Sequence, residues 1–176
     1  MNLPNALTLL RMAMVPVFIV LFYQDMPIAA AVVFILAAIT DAADGKIARA
    51  RNQITNFGKL MDPLADKVLT VSAFICLVDS GQVAAWMVIV ILAREFAITG
   101  LRSVAASEGQ VIAAGMSGKL KTVFQMVAIA LLLLHNWPFS YLNLPIDQAC
   151  LWIAIVLTIY SGVEYIVKGR HLLTMK

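Results

Sequence analysis

The chain has 176 residues, 62% of them hydrophobic and only 13% charged, with a mean hydropathy of +0.90 and a formal net charge of +3. Soluble domains carry about 25% charged residues, and a soluble fold this apolar would leave large sticky patches in water, so the composition excludes an ordinary soluble protein. The small net charge gives no reason to expect a nucleic acid partner, and the length suits a single domain, 1–176.

Six apolar helices are predicted, in an all-α integral membrane protein whose spans each need about 20 residues. The first runs from about Asn5 to Tyr23 and contains Pro16. Asn5 and Thr8 share one of its faces, which capping or interhelical hydrogen bonding would explain. No basic n-region precedes it, and Arg11 comes before the first long apolar run, so a cleavable signal peptide is not expected. The second helix is predicted from Pro27 to about Arg51, the third over roughly Lys59 to Val78, and the fourth over Val83 to Ala106. The fifth covers about Ser117 to Leu134, and the last runs from Ile146 to past Tyr165. Short connections make neighbouring helices antiparallel. Cys76 and Cys150 lie far apart in apolar stretches and match no metal or redox spacing, so they read as small buried hydrophobes. Trp86, Trp137, Tyr141 and Trp152 fall near helix ends, where aromatic side chains anchor at the membrane interface.

Charge decides the topology. Many charge-free runs, such as Met12 to Tyr23, are shorter than a full span, because charges enter the helices from one side. With the N-terminus inside, all 13 Lys and Arg residues fall toward inner turns or inner helix ends, and the outer turns near Asp25, Asp79 and His135–Asp147 hold none. This asymmetry places both termini in the cytoplasm. Polar inner halves imply a water-filled cavity open to the cytoplasm, since ionisable groups at membrane depth face a bundle interior.

The segment Thr40–Lys67, TDAADGKIARARNQITNFGKLMDPLADK, holds four aspartates and no glutamate. Asp41 and Asp44 share one helical face, and Asp62 and Asp66 share another. If the second and third helices are antiparallel neighbours, both pairs converge near their turn. Four carboxylates there repel one another, and hard divalent cations with oxygen ligands relieve this. Two such ions are suited to clamping a diphosphate. Gly45 and Gly58 permit close approach of a ligand or backbone, and Arg49 is placed to reach a phosphate nearby. A solvated charge cluster is the bland alternative, but four paired aspartates among only ten acidic residues argue against it.

This segment resembles the D-x2-D-G-x2-A-R-x8-G-x3-D-x3-D pattern of the CDP-alcohol phosphatidyltransferases, with Asp41, Asp44, Gly45, Ala48, Arg49, Gly58, Asp62 and Asp66 in every fixed position. The resemblance implies a six-helix membrane fold, usually a homodimer, with the active site facing the cytoplasm. It implies Asp41, Asp44, Asp62 and Asp66 as metal ligands, with Mg²⁺ or Mn²⁺ as two bound ions and Asp66 as general base. It implies contacts to the CDP-lipid from Gly45 and Arg49, with Thr55 in the intervening turn and the polar pair Asn5 and Thr8 as further candidates. Ala42 and Ala43 stand where relatives often carry bulkier residues, which leaves the ligands intact.

NLPNALTLLR, DPLADKVL, AREFAITGLRSVA and GKLKTVFQM resemble one branch of that family, the bacterial phosphatidylglycerophosphate synthases. The branch implies transfer of the phosphatidyl group from CDP-diacylglycerol to sn-glycerol 3-phosphate, giving phosphatidylglycerophosphate and CMP, in the bacterial cytoplasmic membrane. A dianionic acceptor needs cations, and Arg94, Arg102, Lys119 and Lys121 are the candidates for its phosphate. Positive-inside topology alone would also explain each of them. Glu95 is the nearest counter-charge to Arg94 or Arg102. Inositol phosphate, serine or phosphatidylglycerol remain alternative acceptors. A divalent-cation transporter is the rival of another class, disfavoured because the four aspartates cluster at the expected cytoplasmic end and do not line a path across the membrane.

Overall fold

A computed structural model of the chain describes residues 3–50, 56–107, 109 and 115–169, with side chains at 6–40, 64–65, 67–107, 109 and 115–167. Six long helices account for most of it: α1 (Leu3–Tyr23), α2 (Pro27–Ala50), α3 (Asn56–Asp79), α4 (Ala85–Ser107), α5 (Met116–Leu133) and α6 (Ile146–Gly169). A short 3₁₀ turn, Phe139–Leu142, precedes α6 and was not anticipated from the sequence. No strand occurs among the described residues. The third helix begins at Asn56, ahead of the expected Lys59. Apolar patterning fixes helix ends only to within a few residues.

The helices are 18 to 24 residues long. At 1.5 Å per residue this is about 27–36 Å, comparable to the hydrocarbon thickness of a bilayer. Three are apolar enough to cross a membrane on length and composition alone: α1 over Ala6–Tyr23, α5 over Met116–Leu133 and α6 over Ile146–Val167. The apolar part of α2 is shorter, Pro27–Thr40, and α3 and α4 are interrupted by Lys67, Arg94, Glu95 and Arg102.

The helix surfaces explain the composition. Ile28, Val32, Leu36 and Ile39 form an exposed apolar stripe on α2, while Ala30, Ala31, Phe34 and Ala37 of the same helix are buried. Val156, Ile159, Tyr160 and Val163 are likewise exposed on α6. Such stripes are unfavourable in water and suit lipid, so the protein is a multi-pass membrane protein. Inside, Ala73, Ala128 and Ala154 are fully buried and let helices approach closely. Phe18, Phe34, Phe74, Ile129 and Leu151 fill the space between them.

The bundle has two chemically different ends. At one end Asp25, Pro27, Ser80, Gln82 and His135 surround one cavity, bringing together the starts or ends of α1, α2, α3 and α5. Gln148 of α6 donates to the Gln82 carbonyl at 3.3 Å, and Trp86 and Trp152 lie 5.8 Å apart. Gly81 makes the α3–α4 turn there with φ +76°, a conformation that favours glycine. No Lys or Arg occurs in these turns. The opposite end collects the second half of α4, the first turns of α5 and the last turns of α6.

Candidate active site

The polar end is assembled from three helices. Lys67 on α3 donates from Nζ to Thr99 Oγ1 on α4, which ties the motif-bearing helix to the basic one. Around this contact an open cavity of about 450 Å³ is lined by Lys67, Arg94, Glu95, Thr99, Arg102 and Ser103, with apolar Ile98 and Ala106. Among the described lining residues three cations face it against one carboxylate, a local excess of positive charge suited to an anion.

Glu95 organises the cations. Arg94 Nη1 lies 3.0 Å from Glu95 Oε1, and Lys121 Nζ on α5 donates to the same oxygen. Lys121 is 2% exposed, so its ammonium is almost wholly withdrawn from water, and the contact with Glu95 offsets part of that desolvation. A smaller cavity of about 50 Å³ between α3, α4 and α5 is lined by Lys67, Thr70, Glu95, Lys121 and Gln125 among apolar neighbours.

Helix α6 supports the arrangement from behind. The Arg94 guanidinium lies 5.5 Å from the centre of the Tyr165 ring, within cation–π range. The Tyr165 hydroxyl accepts the Gly115 N–H at 3.0 Å, and Ser117 donates to Glu164. Arg94 reaches this position past two glycines. A Cβ at Gly162 would stand 3.2 Å from Arg94 Cγ, and one at Gly118 would stand 3.5 Å from Arg94 Nη2. These glycines leave a channel for the arginine stem.

The backbone carries Asp41 and Asp44 on α2 and Asp62 and Asp66 on α3. Asp66 immediately precedes Lys67, so this part of α3 adjoins the cationic cavity. The side chains of all four aspartates, and those of Asn5, Gly45 and Arg49, lie outside the described side chains, and Thr55 lies outside the described residues. Among the described residues no group of three or more His, Cys, Asp or Glu gathers.

The CDP-alcohol phosphatidyltransferase family model matches residues 1–160. The chain belongs to that family. A Bacillus subtilis protein named "CDP-diacylglycerol--glycerol-3-phosphate 3-phosphatidyltransferase" is 46% identical over 96% of this chain and 95% of its own length. Proteins of the same name are 42% identical in Rickettsia bellii, over 93% of both chains, and 36% identical in Sodalis glossinidius, over 97% of this chain and 96% of the relative. The family resemblance and its branch, read from the aspartate motif and the softer segments, are therefore borne out.

The described candidates separate into different roles within this family fold. Arg94 and Arg102 line the cavity. Lys121 does not line it; its ammonium is engaged by Glu95 behind the cavity wall. Lys119 is exposed in the first turns of α5 and does not line the cavity either. Thr8 is fully buried on α1, one turn from Arg11, which is also fully buried. Sequence reading assigned Lys67, Thr99 and Tyr165 no part in the site, and it treated Arg11 as a topological charge. The one available signal was the position of Lys67 next to Asp66; the rest depends on how α4, α5 and α6 meet.

Proposed function

We propose that this protein transfers the phosphatidyl group of CDP-diacylglycerol to sn-glycerol 3-phosphate, releasing CMP. The observation that carries the acceptor assignment is the cavity at the motif helix, where Lys67, Arg94 and Arg102 outnumber Glu95 among the described lining residues. An uncharged acceptor would not need that excess. Arg94 and Arg102 offer planar donor pairs to a phosphate, and Lys67 offers a point charge.

The donor lipid is accommodated from the membrane side. An apolar groove of about 440 Å³ between α2 and α5 is lined by Phe34, Ile35, Ile39, Val123, Met126 and Val127. Ile39 stands two residues before Asp41, so a chain lying in this groove leads toward the aspartates. An acyl chain would contact lipid on one side and helix on the other, at little desolvation cost.

Asp41, Asp44, Asp62 and Asp66 supply only carboxylate oxygens, the donor set that Mg²⁺ or Mn²⁺ prefers. When bound, such ions neutralise the diphosphate and stabilise the departing CMP. In the proposed reaction Asp66 accepts the proton of the acceptor's 1-hydroxyl. The acceptor oxygen forms a bond to the β-phosphorus, and the bond from that phosphorus to the bridging oxygen breaks. CMP leaves with the electron pair, and Arg49 offsets its charge. Lys67, Arg94 and Arg102 contribute by orienting the acceptor, since phosphoryl transfer depends chiefly on positioning and electrostatics. The six helices would all span the membrane, with both termini and the cationic cavity on the cytoplasmic side, which the one-ended distribution of Lys and Arg supports.

The test is CMP release by purified protein with CDP-diacylglycerol and Mg²⁺, comparing glycerol 3-phosphate, inositol phosphate, serine and phosphatidylglycerol, beside an Asp66→Asn control. Release that requires glycerol 3-phosphate and is lost in the control is expected. Release with a different acceptor would overturn the acceptor assignment, and none with any acceptor by folded protein would overturn the transferase reading.

A further inference from the structure

We infer that Tyr165 is a positioning residue for the acceptor-phosphate site, acting through Arg94 and the start of α5. The inference rests on the proposed reading of the cationic cavity as the acceptor site, and it adds a determinant on a helix that does not line that cavity.

Tyr165 is 4% exposed, on the last turns of α6. A tyrosine buried this fully brings a large apolar ring and a hydroxyl that needs a partner. Both parts are used, and each holds a different helix. The ring lies 5.5 Å from the Arg94 guanidinium on α4, and the hydroxyl takes the Gly115 N–H at 3.0 Å, just before α5 begins. One side chain therefore spans from the phosphate-facing arginine to the start of the neighbouring helix.

Arginine rotamers are numerous, and fixing one costs conformational entropy. Two groups restrict Arg94 on different sides. Glu95 holds Nη1, and the guanidinium carbon lies over the Tyr165 ring. Glu95 alone does not determine the orientation, because a carboxylate beside a flexible arginine accepts several geometries. The ring supplies the second restraint, and the glycines at 118 and 162 leave the space in which it applies. The adjacent Glu164, accepting from Ser117, fixes the same α5–α6 junction independently. Loss of the Tyr165 hydroxyl thus loosens the junction without dissolving it, and loss of the ring releases Arg94.

The experiment measures steady-state CMP release by the full chain in detergent. Glycerol 3-phosphate is titrated at saturating CDP-diacylglycerol, then CDP-diacylglycerol at saturating acceptor. Wild type, Tyr165→Phe and Tyr165→Leu are compared, with inorganic phosphate as a competitor against the acceptor. The acceptor KM is expected to rise about threefold in the phenylalanine variant, for one lost hydrogen bond, and about tenfold in the leucine variant, for the lost ring as well. The inhibition constant for inorganic phosphate should rise by a similar factor, while kcat and the KM for CDP-diacylglycerol stay within about twofold of wild type. An unchanged acceptor KM in Tyr165→Phe and Tyr165→Leu overturns the inference. So does a parallel change in kcat and both KM values, which marks a general packing role. Should the leucine variant not fold, the phenylalanine variant decides by the same criteria, aided by the phosphate inhibition constant. A wild type inactive with glycerol 3-phosphate defeats the parent reading and this inference with it; an active wild type with unshifted variants defeats the inference alone.

Discussion

Lys121→Met tests whether this lysine serves the fold or the substrate. Lys121 is 2% exposed and donates to Glu95, whose side chain is 25% exposed and also binds Arg94. Removing one partner from a fully buried pair costs about 3–5 kcal/mol. Here the remaining Glu95 keeps Arg94 and some water, so a charged hydrogen bond of about 1.5–3 kcal/mol is the better measure of the loss. Methionine refills most of the lysine stem's volume and lowers the cost further, leaving about 1–2 kcal/mol. For a chain of this size that corresponds to a fall in Tm of about 2–8 °C. Thermal unfolding in detergent, followed by tryptophan fluorescence, measures it. Glu95→Gln should also destabilise, because it weakens a charged hydrogen bond to the buried Lys121. The double variant should cost less than the sum of the two, by about 1 kcal/mol, since the residues interact directly. The acceptor KM of Lys121→Met should change by less than about threefold. An unshifted Tm together with a tenfold higher acceptor KM would refute the reasoning, because Lys121 would then be a direct phosphate ligand.

Other expectations follow from the same geometry. Arg94→Lys keeps the charge but loses the planar donor pair and the face over Tyr165, so the acceptor KM should rise about tenfold with a smaller change in kcat. Gly162→Ala places a Cβ 3.2 Å from Arg94 Cγ, which should raise the acceptor KM a few-fold while leaving the KM for CDP-diacylglycerol unchanged; equal values in variant and wild type would show that the arginine stem shifts freely. Asp66→Asn should lower CMP release by about 10²–10⁴-fold without loss of folded protein, as expected for removal of a general base and metal ligand. Chelation of divalent cations should abolish turnover, and added Mg²⁺ or Mn²⁺ should restore it; turnover that persists in chelator contradicts the assigned role of the aspartates.

The six helices were legible because the apolar runs and their interruptions follow from the solvent. Apolar runs close to bilayer length mark each helix, and the charges that interrupt them cluster toward one set of turns. The 3₁₀ turn before α6 was not legible, because it depends on local contacts such as Asn136 Nδ2 donating to the Leu144 carbonyl at 2.6 Å. The family was legible for another reason. Asp41, Asp44, Asp62 and Asp66 fall with fixed spacing in one contiguous segment, so the family motif is readable along the chain.

The four basic candidates on α4 and α5 behaved differently. Arg94, Arg102, Lys119 and Lys121 are all basic and near one end of two helices, and nothing in their order distinguishes them. Tertiary packing does. It turns Arg94 and Arg102 to the cavity, buries Lys121 against Glu95 and leaves Lys119 exposed. It also recruits Lys67 through Thr99, and Tyr165 from more than sixty residues away in the chain. The sequence by itself determined the solvent, the helix count and the family motif, since these depend on composition and on spacing within one segment. The tertiary structure alone decided which cations line the cavity and which face a carboxylate, since a charge acquires its surroundings from the groups within a few ångströms of it in space.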